Sequence, residues 1–176
     1  MLRKLIDDLF EYTRVNSSRL PLVLERLDLK AFMRQLAEES VPALTREGMT
    51  YELQDDTESL WIEAAPYELV RAYENLIANA IRYGKDGKRL EIGLSCEGND
   101  AVVRISNFGE MIAEGDLPHI FFERFYRAER SRSQITGGSG LGLAITKGIV
   151  ERHHGEITAH STRSRTDFVT RFPVSS

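Results

Sequence analysis

A glycine-rich segment followed by an apolar run is the feature that most constrains the fold of this chain. Four glycines fall within residues 137–142, and the helix-forming residues Leu143, Ala144 and Ile145 follow directly. Because glycine has no Cβ and tolerates a positive φ angle, successive N–H groups can converge on an anion, and the dipole of the following helix adds to the attraction. The segment therefore predicts a phosphate-binding loop at a helix N-terminus. Taken alone, it is equally typical of a flexible loop with a glycine-capped helix.

The composition and net charge of the chain restrict the classes of protein to which it can belong. The chain has 176 residues, of which 41% are hydrophobic, enough for one globular unit with or without a short appendage. Its formal net charge of -4 disfavours nucleic acid as a partner. The single cysteine, Cys96, excludes an intramolecular disulfide, and every apolar run is shorter than a membrane span requires. We therefore expect a cytoplasmic domain.

Hydrophobic periodicity predicts helices and strands along most of the chain. Asp28 is a favourable N-cap, Pro66 suits the first turn of a helix, and Gly84 is a helix stop. The alternation in the strands indicates a sheet with one buried face, so we expect helices on that face. The predicted helices are 1–17, 29–46, 66–84 and 141–153; the predicted strands are 20–29, 50–54, 60–64, 89–96, 101–106, 156–161 and 168–173.

The N-terminal helix carries an apolar stripe that needs a partner. Leu2, Ile6, Leu9 and Phe10 belong to this stripe, and charged residues lie largely opposite. The stripe can fold onto the main domain or pair with another chain. The helix-stop cluster at residues 16–18 favours an appendage.

Residues 108–140 form an irregular stretch of unusual length, which indicates a functional loop. Within it, residues 121–127 combine three phenylalanines and a tyrosine with two arginines. A solvated loop seldom carries so many aromatic rings, so we expect them to anchor a mobile lid to the core or to a partner domain.

The predicted helix 66–84 supplies the second half of a candidate site. Spacings of four and three residues bring Asn75, Asn79, Arg82 and Tyr83 onto adjoining strips of its surface. An asparagine carbonyl is a neutral oxygen ligand that suits Mg²⁺, so Asn79 is the metal-ligand candidate. Arg82 can contact phosphate and Tyr83 can cover an apolar ligand surface, although either is also compatible with an ordinary helix end.

Four sequence blocks, in order, resemble the motifs of bacterial sensor histidine kinases, and the resemblance covers nearly the whole chain. The asparagine box of that family is similar to residues 75–80, followed by Arg82 and Tyr83. Its first glycine box is similar to residues 107–111, its phenylalanine box to residues 121–127, and its second glycine box to residues 138–143. No GxxxxGK[ST] sequence is present, so a P-loop is not predicted.

The resemblance implies a fold and a ligand. The fold is a two-layer α/β sandwich of a mixed sheet with helices on one face and a mobile ATP lid, preceded by an N-terminal helix. Mg²⁺ and ATP bind between the asparagine-bearing helix and the lid, with Asn79 on the metal. The candidate catalytic residues are Asn75, Arg82 and Arg127, the last to stabilise charge on the γ-phosphate. The candidate nucleotide contacts are Asn75, Asn79, Arg82, Tyr83, Asn107, Gly109, Ile112, Phe125, Gly138, Gly140, Leu141, Gly142 and Leu143.

The first glycine box departs from the family pattern Asp-X-Gly-X-Gly at two positions. Asn107 stands where the family has the aspartate that accepts a hydrogen bond from the adenine amino group. Its amide oxygen retains the acceptor but loses the charge, which predicts weaker binding. Met111 replaces the second glycine and restricts the hinge of the lid, or packs against the base.

The resemblance also implies a larger protein. The phosphoacceptor motif of the family, which resembles His-Glu-X-X-Thr-Pro, does not occur in this sequence. We expect residues 1–17 to be the end of the second dimerisation helix and residues 18–176 to be the catalytic ATP-binding domain. The implied partners are the protein's own dimerisation domain, a second copy of the full-length kinase and a cognate response regulator, and the implied parent is anchored in the bacterial cell membrane.

Two alternatives stay open on the sequence. In one, the altered first glycine box leaves a nucleotide-binding regulatory module without efficient phosphoryl transfer. In the other, the chain is an ATPase of the chaperone or topoisomerase type, which needs an acidic residue to activate water. Glu74 neighbours Asn75 but points about 100° away from it on an ideal helix, which argues against the second alternative.

Overall fold

Four helices and seven strands make up the described part of the chain. The computed structural model describes residues 2–17, 21–55, 58–84, 86–109, 111–119 and 140–175. The helices are α1 (Leu2–Asn16), α2 (Leu29–Arg46), α3 (Pro66–Gly84) and α4 (Gly142–Arg152). The strands are β1 (Glu25–Asp28), β2 (Thr50–Asp55), β3 (Trp61–Ala64), β4 (Arg89–Glu97), β5 (Asp100–Asn107), β6 (Glu156–Ser161) and β7 (Thr166–Pro173).

Five strands form a mixed sheet in the order β2-β4-β5-β7-β6. Strands β2 and β4 are parallel, and every other neighbouring pair is antiparallel. The hairpin between β4 and β5 turns at Gly98, whose φ of 63° suits glycine. Strands β1 and β3 form a separate antiparallel pair. The predicted mixed sheet is confirmed.

Helices α2, α3 and α4 cover one face of this sheet, as predicted. The inward side chains alternate along β5, where Ala101, Val103 and Ile105 are fully buried. A buried polar contact joins the helical layer to the sheet: the hydroxyl of Tyr73 on α3 lies 2.7 Å from that of Thr170 on β7. The core therefore lies between a helical layer and the sheet.

Helix α2 begins at Leu29 because Asp28 caps it. The Asp28 carboxylate accepts hydrogen bonds from the backbone N–H groups of Lys30 and Ala31, at 3.0 and 3.3 Å. The predicted strand 20–29 is accordingly wrong in its bounds, since only Glu25–Asp28 is a strand. At the other end of the chain, β7 starts at Thr166, two residues before the prediction.

Helix α1 packs on the domain with the side that carries Asp8 and Val15. Its buried residues are Asp8 and Val15, and it lies against α4. The Asp8 carboxylate receives a hydrogen bond from Arg71 on α3 at 2.5 Å. The apolar stripe of Leu2, Ile6, Leu9 and Phe10 stays exposed, so it does not fold onto the domain. None of the helices in the described ranges is long and apolar enough to cross a membrane.

Candidate functional site

The N-terminus of α4 meets the middle of α3. The side-chain amide of Asn75 donates to the carbonyl oxygen of Gly142 at 3.2 Å. Gly140 precedes the helix with a φ of 73°, and the N-cap residue Leu141 offers no side-chain acceptor to the first turn. The helix dipole and the N–H groups of this turn thus favour an anion beside Asn75.

Asn79, Arg82 and Tyr83 continue from Asn75 toward the C-terminal end of α3. All three are half-buried, so each has surface that a ligand can reach. Residue spacings of four and seven place Asn79 and Arg82 on the strip of α3 that starts at Asn75. The structure therefore brings the predicted asparagine-box residues to one side of α3, next to α4.

At the end of α3, the sheet presents a row of side chains that differs from the rest of the core. Strand register aligns Leu90 of β4, Asn107 of β5, Thr166 of β7 and Ser161 of β6, which we call the Asn107 row. Residues directly opposite one another in a sheet point to the same face. The next row inward is wholly apolar and consists of Ile92, Ile105, Phe168 and Ala159.

One hydrogen-bond donor of the Asn107 row, the side-chain nitrogen of Asn107, has no partner among the described residues. The hydroxyls of Ser161 and Thr166 lie 2.6 Å apart, and Thr166 is 3% exposed. Asn107 is 1% exposed, yet its Nδ2 has no hydrogen-bond partner among the described residues. Buried polar atoms are nearly always hydrogen-bonded, so an orphaned donor at this place indicates a missing ligand or water.

The turn after β5 is held tightly against the end of α3. A Cβ added at Gly109 would lie 2.0 Å from the Tyr83 carbonyl oxygen, so only glycine fits there without a shift. Three residues further on, the backbone N–H of Ile112 donates to the Ser161 hydroxyl at 3.0 Å. The start of the long loop is thereby fixed over the Asn107 row.

Phe108 anchors the same turn on the opposite face of the sheet. The guanidinium carbon of Arg89 lies 4.2 Å from the centre of its ring, and that of Arg165 lies 5.5 Å away. Both arginines pair with Glu91, at 2.8 and 3.4 Å. Glu91 thereby balances part of this positive charge on the face that the helices do not cover.

The two parts of the site lie along one helix. From Asn75 to Gly84, α3 rises about 13 Å at 1.5 Å per residue. The N-terminus of α4 lies at the first position, and a Cβ added at the second would lie 2.6 Å from the Cβ of Asn107. The arrangement can hold an elongated ligand that is anionic at one end and offers hydrogen-bonding edges at the other.

The structure places most of the predicted site residues along this line. Asn75, Asn79, Arg82 and Tyr83 lie on α3; Asn107, Gly109 and Ile112 lie at the sheet end; Gly140, Leu141, Gly142 and Leu143 lie at the start of α4. Phe125, Arg127 and Gly138 lie outside the described residues, as does the rest of the predicted aromatic cluster 121–127.

Ser161 and Thr166 are site residues that the sequence analysis missed. The predicted strand 168–173 began too late to include Thr166, which pairs with Asn107. The signal was present in the alternation Thr166, Phe168, Thr170, Phe172, which places four buried side chains on one face.

Comparison with known proteins identifies the family. Residues 64–176 match the family model described as histidine kinase-, DNA gyrase B- and HSP90-like ATPase. The chain belongs to this family. The match begins at Ala64, two residues before α3, so the matched region contains every part of the site.

Sensor histidine kinases are the relatives of this ATPase domain. It is 35% identical to the sensor protein VanS of Enterococcus faecium over 173 residues, which are 98% of this chain and 44% of VanS. Among solved structures, full-length ShkA in complex with AMPPNP superposes with a TM-score of 0.86 at 21% identity, covering 99% of this chain and 36% of ShkA. Histidine kinase ThkA in complex with the response regulator TrrA gives a TM-score of 0.82 at 20% identity, covering 99% and 48%. The chain spans less than half the length of the curated relatives it matches.

Proposed function

We propose that this ATPase domain binds Mg²⁺-ATP and positions its γ-phosphate for transfer to a histidine on a dimerisation domain, from which it passes to an aspartate of a response regulator. The observation that carries the proposal is the pairing, along α3, of a helix N-terminus beside Asn75 with the orphaned amide of Asn107. The first suits phosphate, and the second suits the edge of a base.

The residues of the chain fit each part of the ligand. The first turn of α4, Asn75 and Arg82 hold the phosphates, and the Asn107 row holds the base. Asn79 offers Mg²⁺ a neutral side-chain oxygen, and the remaining ligands come from phosphate and water, as this ion prefers. Bound Mg²⁺ neutralises charge on the phosphates.

The relatives support the kinase activity. The solved ShkA structure holds AMPPNP, and the solved ThkA structure holds a response regulator. We transfer both partners to this chain as part of the proposal, with Arg127 as the lid residue that stabilises charge on the γ-phosphate.

The exposed apolar face of α1 is the observation in favour of a dimerisation domain in the full-length protein. Leu2, Leu9 and Phe10 are 71%, 48% and 74% exposed, although they form one apolar stripe. In the proposal, α1 is the end of the second dimerisation helix, residues 18–176 are the catalytic domain, and the full-length kinase is a homodimer. The catalytic domain lies in the cytoplasm, and the full-length kinase is anchored in the bacterial cell membrane.

Calorimetric titration tests the nucleotide site. ADP and AMPPNP are titrated into the chain with and without Mg²⁺, and into the Asn79→Ala variant. We expect saturable binding that Mg²⁺ strengthens and that Asn79→Ala weakens by about tenfold or more in the presence of the metal. Asn99→Ala, a change at an exposed asparagine of the β4–β5 turn, is the matched control. Mg²⁺-dependent binding that is unchanged in Asn79→Ala removes this residue from the metal role.

A transfer assay then separates kinase from regulatory module. Labelled phosphate is followed from ATP to a supplied dimerisation domain. Transfer supports the kinase, whereas tight nucleotide binding without transfer favours the regulatory alternative that Asn107 and Met111 raise. Glu74 is exposed on α3. Rapid ATP hydrolysis that disappears in Glu74→Ala would instead point to the chaperone-type ATPases.

A further inference from the structure

Asn107 differs from a carboxylate in the kind of hydrogen bond it can make. An ionised carboxylate only accepts, whereas a primary amide carries one acceptor oxygen and one donor nitrogen in the same plane. The donor nitrogen of Asn107 is the atom left without a partner in the described structure. Its ligand must therefore present an acceptor at this point, and the amide oxygen beside it can receive a donor.

Purine bases present such a donor and acceptor side by side, in either order. A 6-aminopurine, such as adenine, has a donor at its amino group and an acceptor at N1. A 6-oxopurine, such as guanine or hypoxanthine, has an acceptor at O6 and a donor at N1–H. Turning an amide by 180° exchanges its donor and acceptor, so the same asparagine matches both edges. A carboxylate matches only the amino form and faces the O6 oxygen with a second acceptor.

We propose that Asn107 makes this base site accept 6-oxopurine as well as 6-aminopurine nucleotides, an inference that rests on the proposed nucleotide-binding function. The residue sets the base specificity of the site through a reversible amide, not a fixed carboxylate.

The neighbours of Asn107 fit this assignment. Thr166 and Ser161 carry hydroxyls, and either oxygen of that pair can be the donor in their mutual hydrogen bond. Neither hydroxyl therefore has a fixed polarity. Leu90, the fourth member of the row, is apolar. Among the described residues, no group in the row is an acceptor alone.

The carboxylates nearest in sequence are kept away from the base. Glu91 and Asp167 each follow a member of the row by one residue, so they lie on the opposite face of the sheet. There Glu91 pairs with Arg89 and Arg165, and Asp167 pairs with Arg165 at 2.6 Å. The discrimination that a carboxylate would impose on O6 is absent from the row.

The experiment compares ADP with inosine diphosphate (IDP), which has the 6-oxo group of guanine without its 2-amino group. Both are titrated calorimetrically into the chain at the same Mg²⁺ concentration. We expect the two dissociation constants to agree within about tenfold. In Asn107→Asp, we expect IDP to weaken by about ten- to a hundredfold relative to ADP, the usual size of discrimination by a bidentate base contact.

Asn99→Asp is the matched control because it makes the same chemical change at an exposed turn. Its ratio of IDP to ADP affinity should equal that of the unaltered chain. If Asn107→Asp does not fold, the comparison of ADP with IDP on the unaltered chain still decides the proposal.

The outcomes separate this inference from the function beneath it. If the unaltered chain binds ADP but binds IDP more than about tenfold more weakly, the inference is overturned and the nucleotide site still stands. An equal loss of both nucleotides in Asn107→Asp also overturns it, since the residue would then not read the 6-position. Failure of the folded chain to bind either nucleotide removes the proposed function itself.

Discussion

Two buried side chains each leave one polar atom without a hydrogen bond in the described structure, and their surroundings differ. Glu68 lies at the start of α3, and Asn107 lies at the end of β5. Glu68 belongs to a charged group where α1, α3 and α4 meet, which we call the Glu68 cluster: Arg14, Glu68, Arg152 and His153. Its Oε1 lies 3.0 Å from Arg14 and 3.8 Å from Arg152, so the charge is already balanced within the chain.

The Asn107 row has no such balance. Its amide is neutral, its Nδ2 is unpartnered, and the hydroxyls beside it bond to each other. A buried donor without a partner costs about 1–3 kcal/mol, so a chain selected for stability alone would have little reason to keep it. The comparison indicates that the leftover oxygen of a paired carboxylate belongs to the packing, whereas the unpartnered amide nitrogen of Asn107 at the sheet end belongs to a ligand.

Gly109→Ala should have the largest effect, because it displaces the Asn107 row without removing any polar group. The added Cβ would lie 2.0 Å from the Tyr83 carbonyl oxygen and 2.9 Å from the Cα of Gly84, and both are backbone atoms that cannot turn aside. We expect a loss of about 3 kcal/mol in the free energy of unfolding, measured by urea denaturation, together with loss of ADP binding.

Gly115→Ala is the control, since nothing lies within 4 Å of the position its Cβ would take. If Gly109→Ala has the same free energy of unfolding as the unaltered chain, the turn can move away from α3. The conclusion that this turn is fixed over the Asn107 row would then be wrong.

Glu68→Met tests the paired side of the comparison. Methionine keeps much of the volume but leaves Arg14 and Arg152 without their carboxylate. Because Arg14 is half-exposed and also bonds to Glu11, we expect a moderate loss of about 1–2 kcal/mol in unfolding free energy, with ADP affinity unchanged. Glu38→Ala, at an exposed position of α2, is the control. A tenfold loss of ADP affinity in a folded Glu68→Met would show that the Glu68 cluster also serves the ligand.

Asn107→Leu should weaken ADP binding without lowering stability, the opposite of Glu68→Met. An apolar side chain of similar volume removes the orphaned donor, so the free energy of unfolding should stay level or rise slightly. ADP should weaken by about tenfold or more, because the base loses its hydrogen-bonding partner. Urea denaturation and calorimetry on one preparation measure both. A stability loss above about 1 kcal/mol would reveal a structural partner for the amide and end its assignment to a ligand.

Local signals in the sequence were sufficient to predict most of the fold. The Asp28 cap, the Gly84 stop and the alternation along β5 act through neighbouring residues, and the structure has α2, α3 and β5 at or close to the predicted bounds. The candidate residues on α3 could be predicted for the same reason, since helical spacing alone brings Asn75, Asn79 and Arg82 to one side.

Features that depend on distant residues could not be predicted in this way. The amphipathic pattern of α1 suggested that its apolar stripe makes the contact, but ion pairs to α3 and the buried side chain of Val15 hold a different side inward. The Asn107 row is assembled by the register of four strands, and no local pattern reveals that Ser161 and Thr166 lie beside Asn107. The unpartnered state of the Asn107 amide is likewise a property of the packed sheet.

The pH dependence of stability should show the smallest effect, and it arises in the Glu68 cluster. The ring of His153 accepts a hydrogen bond from the Ala65 N–H at 3.0 Å through Nε2, and its Nδ1 lies 2.7 Å from the Ile149 carbonyl oxygen. Both contacts suit the neutral ring, and burial lowers the pKa of His153 from its ordinary value of 6.5, against the opposing effects of the hydrogen bond to Ile149 and of the Glu68 charge. The folded chain therefore binds fewer protons than the unfolded chain below pH 6.5, so this contribution to stability is full above that pH and is lost as the pH falls through the lowered pKa. The slope contributed by one group cannot exceed about 1.4 kcal/mol per pH unit.

Urea denaturation between pH 7.5 and pH 5 should show a shallower dependence of the unfolding free energy on pH in His153→Gln, whose amide oxygen can still accept a hydrogen bond from the Ala65 N–H. An identical slope in the variant would assign the pH dependence to groups other than His153.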